Sequence, residues 1–438
     1  MAKDNLEITH KRVLKIALPI VISNATVPLL GAVDTGVIGQ MGIAAPIGAV
    51  GIGAIILTAL YWIFGFLRMG TVGLTSQALG AGNHIEVTAL FFRATGIGFI
   101  AGVAFILLQW PLFLAAFWIS PASPEVEVLA REYMSIRVWS APAAIGIYGI
   151  TGWLIAKECT GAVLCVQLFM NLSNILLDLW FVLGLDLGVQ GVAIATFIAE
   201  WTGLLLGLFL CRRAVSQVSY ALWHQILDKP LLKRMAKVNG DILVRSALLQ
   251  VGFVSFLFFG SDLGDITLAA NQVLLQFVYL ASYAMDGFVF AAETLVGQAI
   301  GARATLQLRR GACFTAVWVF GTSAVLALVF WTVGPTIIDI MTKEPDVQMA
   351  ARLYLPHVAM VPLLGATAWM LDGVFIGATR TRDMRNMMII SFLGYCGFIV
   401  LLLPNFGNHG LWWAMNGFFV LRGITLAVRY PALERSAT

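Results

Sequence analysis

Apolar residues in this 438-residue chain come in long unbroken runs rather than in the short amphipathic periods of a globular core. Twelve such runs can be delimited: 13–39, 45–73, 88–116, 128–156, 161–184, 189–211, 238–261, 266–297, 310–338, 350–378, 386–404 and 409–430. A helix needs about 20 apolar residues to cross a bilayer, and these runs have that length. They do not alternate apolar with polar residues, which excludes β-barrel strands. Only 11% of the residues are charged and the mean hydropathy is +0.88, against about 25% charged residues in soluble proteins. The chain is therefore expected to be an all-α polytopic membrane protein with twelve transmembrane helices. The first run is too long for a cleavable signal and follows a polar segment ending in His10, Lys11 and Arg12.

The loops carry an orientation signal. Of the 27 Lys and Arg residues, 20 fall in segments on the side of the N-terminus and three (Arg131, Lys343, Arg352) on the other, while Arg68, Arg137, Arg245 and Arg422 lie within runs. The positive-inside rule then places both termini in the cytoplasm. The net charge of +4 is spread over these short loops and calls for no nucleic-acid partner. The longest connection, 212–237, carries Tyr220, Trp223, Ile226 and Leu227 on one helical face and reads either as a helix lying in the interface or as an ordinary linker. It divides the chain into an N-terminal lobe (1–211) and a C-terminal lobe (238–438).

The two lobes repeat each other. LTSQALGAG at 74–82 returns as LVGQAIGAR at 295–303, an offset of 221. Pro142 returns as Pro362 and GVQGVAIA at 188–195 as GNHGLWWA at 407–414, at offsets of 220 and 219. Each half holds an even number of spans, so the halves share one orientation and are related by a pseudo-two-fold axis along the membrane normal, the parallel-repeat plan of many transporters.

The polar residues inside the runs are the candidates for chemistry, because a charge at membrane depth is costly and normally functional. The first run holds Asp34 together with Pro19 and Pro28, which each remove a backbone donor and allow a bend. Asp34, Asp178 in the fifth run and Thr196 in the sixth fall at similar depth when counted at about 1.5 Å per residue. Asn174 and Asp178, four apart, share a helical face, as do Thr196 and Glu200, and Asn171 extends the first stripe. Two carboxylates, an amide and a hydroxyl can cage a small hard cation or share a proton. Interhelical hydrogen bonding alone explains the amides and not the acids. The C-terminal half does not repeat this set. Its ionisable residues within runs are Asp241, Arg245, Asp286, Glu293, Asp372 and Arg422, with Asp241 and Arg245 spaced to pair on one face as a structural contact or gate. Asp372 opens DGVFIGATRTRD and is a candidate to face substrate.

No Walker loop, HExxH pair or convincing nucleophile occurs, and the five cysteines show no metal spacing. Neither a cofactor nor a metal centre is expected. The glycine clusters around Gly48, Gly51 and Gly53 and at Gly203 and Gly207 mean close helix packing.

Taken together, PIVISNATVPLLGAVDTGVIG in the first run, the repeated QALGAG/QAIGAR and DGVFIGATRTRD resemble the multidrug and toxic compound extrusion (MATE) transporters, along nearly the whole chain. The first run is most similar to the branch named after the DNA-damage-inducible protein F. The resemblance implies an antiporter of the bacterial cytoplasmic membrane that expels amphipathic, mostly cationic, compounds while H⁺ or Na⁺ enters. It implies a coupling site at Asp34, Asn174, Asp178 and Thr196, which is also where Na⁺ would bind, and a bending proline at Pro19. Glu200, Asp241, Arg245, Asp286, Glu293 and Asp372 remain as substrate or gating candidates. Related branches use an acid in the seventh span, where this chain has Arg245 and Gln250, and this favours coupling in the N-terminal lobe. The expected partners are membrane lipids and the transported molecules, with the protein a monomer. A flippase for lipid-linked saccharides is the alternative. An intramembrane enzyme would have only the Asp34–Asp178 pair to work with, so no enzymatic activity is expected.

Overall fold

The structure, a computed structural model, describes every residue except 1–6, 28–30, 32, 34–35, 39, 41–43, 120–122, 216–219 and 436–438. The described residues are almost entirely helical and include no strand. In chain order the helices are α1 (His10–Ala25), α2 (Ala44–Trp62), α3 (Gly65–Gly80), α4 (His84–Leu107), α5 (Gln109–Ile119), α6 (Pro124–Arg137), α7 (Ala141–Ala156), α8 (Thr160–Asp178), α9 (Gly188–Leu210), α10 (Tyr220–Ile226), α11 (Lys229–Ser261), α12 (Asp265–Gly301), α13 (Thr305–Met341), α14 (Pro345–Gly377) and α15 (Thr381–Arg435). A four-residue turn of helix, Arg212–Val215, lies between α9 and α10.

Among the described residues, ten helical segments are long and apolar enough to cross a membrane. The last of them, α15, folds back at Gly407, whose φ of 53° is left-handed, so it makes two crossings. With α1, these segments account for the twelve apolar runs. Several helices outrun the apolar stretch that announced them: α11 starts at Lys229 rather than 238, because nothing polar in KPLLKRMAK breaks a helix once the chain leaves the hydrocarbon.

Two compact units emerge. One comprises Met1–Val21, Ser76–Gly82 and Arg234–Thr438; the other comprises Ile22–Thr75 and Asn83–Lys233. The first has an aromatic core in which Phe256 meets Trp412 edge-on at 4.7 Å and Phe277 meets Phe330 at 5.1 Å. The second packs Leu57, Tyr61, Tyr133, Met134, Ile145 and Val192 around α2, α6, α7 and α9. Within it, α10 buries Leu222 and Ile226 against Ala89 and Phe92, leaving Trp223 and Leu227 exposed. Arg93 of α4 holds this short helix by donating to the backbone carbonyls of Ile226, at 3.0 Å, and Gln225. The tie is needed, because seven residues cannot sustain a helix alone.

The internal repeat has a physical basis in how its helices end. Four helices end in the same left-handed cap, at Gly82 (φ 71°), Glu158 (60°), Arg303 (54°) and Thr379 (50°). The 82/303 and 158/379 pairs are each 221 apart. The amides of Cys159, Ala304 and Arg380 reach back to the carbonyls of Leu154, Ala299 and Phe375 at 2.9–3.0 Å, which closes the last turn and stops the helix. The two copies of the repeated motif also touch each other. A methyl on Gly80 would stand 2.0 Å from the Gln298 carbonyl oxygen, one on Gly301 2.0 Å from that of Gln77, and one on Gly297 2.6 Å from Ser76 Cβ. Each glutamine is then held by an arginine: Gln298 accepts from Arg12 at 2.7 Å and Gln77 from Arg234 at 2.9 Å. Gln77 further donates to the Gly377 carbonyl at 3.0 Å and to Thr379 at 3.1 Å.

This crossing gives the first prediction. Gly301→Ala forces backbone against backbone and should cost about 1–3 kcal/mol, seen as a lower unfolding midpoint in detergent. Gly321→Ala in α13, where a methyl meets nothing within 4 Å, should be neutral or stabilising, since alanine is the better helix former. Equal midpoints for the two variants would show that the crossing is not tight.

Candidate functional site

The fifth run forms α8, and its polar residues line up as the 3.6-residue period requires. Gln167, Asn171, Asn174 and Asp178 make one stripe. Asn174 and Asp178 are buried, the latter with no exposed surface. Asn174 Nδ2 donates to Thr196 Oγ1 of α9 at 3.0 Å, and Thr196 in turn donates to the Val192 carbonyl at 3.0 Å. One turn away, Gln167 donates to Asn171 Oδ1 at 3.1 Å, and Asn171 Nδ2 donates to Thr26 Oγ1 at 2.7 Å. The structure thus brings together three of the four residues expected to couple transport to an ion, Asn174, Asp178 and Thr196. Asp34 lies outside the described residues. Thr26, from the chain just beyond α1, joins the stripe without having been singled out in the sequence.

Glu200, one turn beyond Thr196 on α9, does not extend this cage. Arg137 of α6 grips it through two hydrogen bonds of 2.7 and 3.1 Å. Arg137 is itself steadied by Ser140 at 2.8 Å and by the Tyr133 hydroxyl at 3.3 Å, and its carbonyl accepts from Tyr61. All of these residues belong to one unit. Arg137 was visible in the sequence as a cation inside a run, but neither its partner nor its fork geometry was.

In the C-terminal half the expected Asp241–Arg245 pair does not form. Four residues apart on α11, the two side chains turn to different helices. Asp241 accepts from Arg385 at 2.6 Å and from Thr381 at 3.1 Å, both of α15. Arg245 donates to Asp372 of α14, which also accepts from Arg422 at 2.7 Å. Arg422 stands 5.7 and 5.5 Å from the ring centroids of Phe418 and Phe419. Two buried arginines on one buried carboxylate leave a net positive cluster, in which Arg422 Nε and Nη1 and Arg245 Nε have no hydrogen-bond partner among the described residues. Asp286 is half-buried on α12 and Glu293, two turns on, is fully buried. The residue after Asp286 is Gly287, where a methyl would stand 2.6 Å from the Ala17 carbonyl oxygen of α1.

Pro19 lies inside α1, and the division between the two compact units falls two residues after it, between Val21 and Ile22. Before the proline, Val13, Ile16 and Ala17 are fully buried. His10 stacks on Phe314 of α13 at 4.2 Å and accepts from the Trp318 indole at 3.2 Å. After the proline, Val21 lies against Gly287 of α12, Thr26 accepts from Asn171 of α8, and Val37 and Ile38 are buried in the core of the second unit.

A bundle of this architecture with a buried polar cage matches known proteins. The MatE family profile matches residues 19–180 and 242–401. The chain is 37% identical to DNA damage-inducible protein F of Escherichia coli over 443 residues, covering 98% of this chain and 94% of that one. It is 24% identical to a probable multidrug resistance protein NorM of Pseudomonas aeruginosa, over 96% of this chain and 88% of that one. In fold it is similar to the Vibrio cholerae MATE transporter VcmN in the bent form, with a TM-score of 0.88 at 21% identity over 99% of this chain and 98% of that one. A MATE structure in the straight conformation gives the same TM-score at 17% identity, over 97% of each chain. This chain belongs to the MATE family of membrane transporters, with twelve transmembrane helices in two six-helix lobes.

The Glu200 pair gives the second prediction. Arg137→Met leaves a largely buried carboxylate without its partner and should lower stability by about 3–5 kcal/mol. Arg137→Met combined with Glu200→Gln should recover most of the loss. Thermal unfolding of the single and double variants in detergent reads both, and an additive double variant would dissolve the pairing.

Proposed function

We propose that this transporter is a cation-coupled antiporter that exports amphipathic, mostly cationic, small molecules across the bacterial cytoplasmic membrane by alternating access. The observation that carries the reading is the buried stripe of α8 with its partner on α9, Asn174, Asp178 and Thr196. Together with Asp34 of the first span, it supplies the oxygens that either H⁺ or Na⁺ needs. A carboxylate that holds a proton in one conformation and not in the other would couple proton entry to the change of shape. Sodium would use the same oxygens, in competition with protons.

The moving part on this reading is α1. Pro19 removes one rung of its hydrogen-bond ladder, and the division between compact units falls beside it. Solved family members are described both in a bent form and in a straight conformation, and this chain is equally similar to each. Neutralising Asp34 or Asp178 would bend the helix, reshape the N-lobe cavity and release substrate outward. Coupling requires that the ion bind one conformation more tightly than the other, since equal affinity shifts nothing. Both termini face the cytoplasm, and the protein acts as a monomer with membrane lipids and its substrates as partners.

The cluster of Asp372 with Arg245 and Arg422 favours a second reading, a flippase for lipid-linked saccharides, because its net positive charge suits an anionic headgroup. Liposomes separate the two: gradient-driven dye transport belongs to the antiporter and lipid scrambling to the flippase.

Asp34→Asn and Asp178→Asn should each abolish ion-driven transport in proteoliposomes while leaving folding and some substrate binding intact. Thr196→Ala should weaken sodium coupling more than proton coupling. Asp372→Asn should change which substrates are carried more than the coupling itself. Fully coupled transport by both Asp34→Asn and Asp178→Asn would reduce the N-lobe cage to structural glue. Orientation is tested separately with a cysteine at His224, in a chain freed of other cysteines. An impermeant maleimide applied to intact cells should leave it unlabelled, and labelling would reverse the topology.

A further inference from the structure

A cleft of about 490 Å³ opens in the first unit between the start of α11, the turn before α15 and residues near the end of α15. Its charge is one-sided: five cations, Arg234, Lys237, Arg380, Arg382 and Arg429, against the carboxylates of Asp241 and Asp383. Both carboxylates are already engaged. Asp241 accepts from Arg385 and Thr381, and Asp383 lies 3.8 Å from Arg380. Arg234 spends one donor on an uncharged amide, Gln77. Lys237, Arg382 and Arg429 are exposed and have no ion-pair partner among the described residues. The first turn of α15, residues 381–383, forms part of the wall and adds the positive end of the helix that runs from Thr381 to the kink at Gly407.

This arrangement is not internal charge balance, since five cations line the cleft against two carboxylates that are already engaged. It also differs from a scattered basic loop. The residues come from three places in the sequence, around 237, 382 and 429, and the fold brings them to one concavity. The cations lie on the side that the basic-residue distribution assigns to the cytoplasm, at the level where helices leave the apolar layer. Basic pockets between transmembrane helices on that side suit phosphate-bearing headgroups, and arginine matches phosphate through its forked donors.

We propose that this cleft binds a phosphate group, presented either by an acidic phospholipid of the cytoplasmic leaflet or by a small phosphate in solution. Lys237, Arg382 and Arg429 neutralise it and the first turn of α15 caps it. The site is separate from the coupling cage, and the proposal does not depend on which ion drives transport.

The test uses the full chain in detergent, titrated separately with phosphatidylglycerol, phosphatidylcholine and inorganic phosphate while its unfolding midpoint is followed. The test variant is Lys237→Gln/Arg382→Gln/Arg429→Gln. The control Lys11→Gln/Lys229→Gln/Lys233→Gln removes the same charge from exposed positions outside the cleft. In the unaltered chain and in the control, phosphatidylglycerol should raise the midpoint by ~3–5 °C and phosphatidylcholine should do so far less. The cleft variant should bind ~100-fold more weakly, since each cation near a charged lipid surface contributes about one such increment of attraction. Stabilisation by phosphatidylglycerol alone identifies the lipid as the source, and stabilisation by inorganic phosphate identifies a soluble one. Loss of either effect in the cleft variant only supports the site. No stabilisation by either probe, or equal stabilisation of the cleft variant, would overturn it. Because all three side chains are exposed, the variant retains its core. Native mass spectrometry, counting phosphatidylglycerol molecules retained per chain, gives a second readout and should lose one in the cleft variant.

Discussion

The tight crossing of residues 76–82 with 297–303 is the contact on which one end of the first unit depends. In a membrane, helices gain no hydrophobic free energy by leaving lipid for each other, so association rests on close packing and interhelical hydrogen bonds. Gly80, Gly297 and Gly301 permit that approach, because any side chain at these positions would meet a backbone or Cβ atom at 2.0–2.6 Å. The backbone groups so brought together place Gln77 and Gln298 where Arg234 and Arg12 reach them. One crossing therefore fixes the start of α11, the start of α1 and, through Gln77, the turn before α15. The basic cleft is a by-product of that fixation, because its walls are the elements that the crossing holds.

The buried charges show how differently the halves use the same plan. In the C-terminal half Asp241 is held by Arg385, and Asp372 by Arg245 and Arg422. A small cation would have to displace a guanidinium to reach either acid, losing a charge-assisted bond of the stronger kind. In the N-terminal half Glu200 is engaged in the same way by Arg137. The stripe of α8 is built otherwise, from amides, a hydroxyl partner and one carboxylate. Its hydrogen bonds from Asn174 to Thr196 and from Asn171 to Thr26 join neutral groups. Bonds between neutral groups break at less cost than the arginine pairs do.

The helical class, the number of crossings and the repeat were legible because they rest on one-dimensional signals: apolar run length and an offset of 221. The α8 stripe was legible for the same reason, since a 3.6-residue period puts Asn171, Asn174 and Asp178 on one face whatever surrounds them. Partner choice was not. The spacing of Asp241 and Arg245 allowed a pair on one helix, but both side chains found better-placed partners on others, Arg385 for one and Asp372 for the other. Arg137 offered no periodic clue to Glu200, which is 63 residues away. The four left-handed caps were equally hidden, because only one of them, Gly82, uses the residue that announces such a turn. The rigid tie of α10 to Arg93 depends on a carbonyl, a group that every residue carries.

The contacts on either side of Pro19 bear on what it takes to move the first helix. Before the proline, α1 is fastened by buried Val13, Ile16 and Ala17, by His10 between Phe314 and Trp318, and by Arg12 on Gln298. After it, Val21 lies against Gly287, Val37 and Ile38 are buried in the second unit, and Asn171 donates to Thr26. An interhelical bond of this kind contributes about 0.6 kcal/mol on average in membranes. Moving a two-state equilibrium from 1:99 to 99:1 takes about 5.5 kcal/mol, roughly nine times as much. Rearranging that bond therefore cannot switch the helix. On the proposed coupling, that free energy would have to come from ion binding at the cage, with the Asn171–Thr26 bond linking α8 to the chain beyond Pro19.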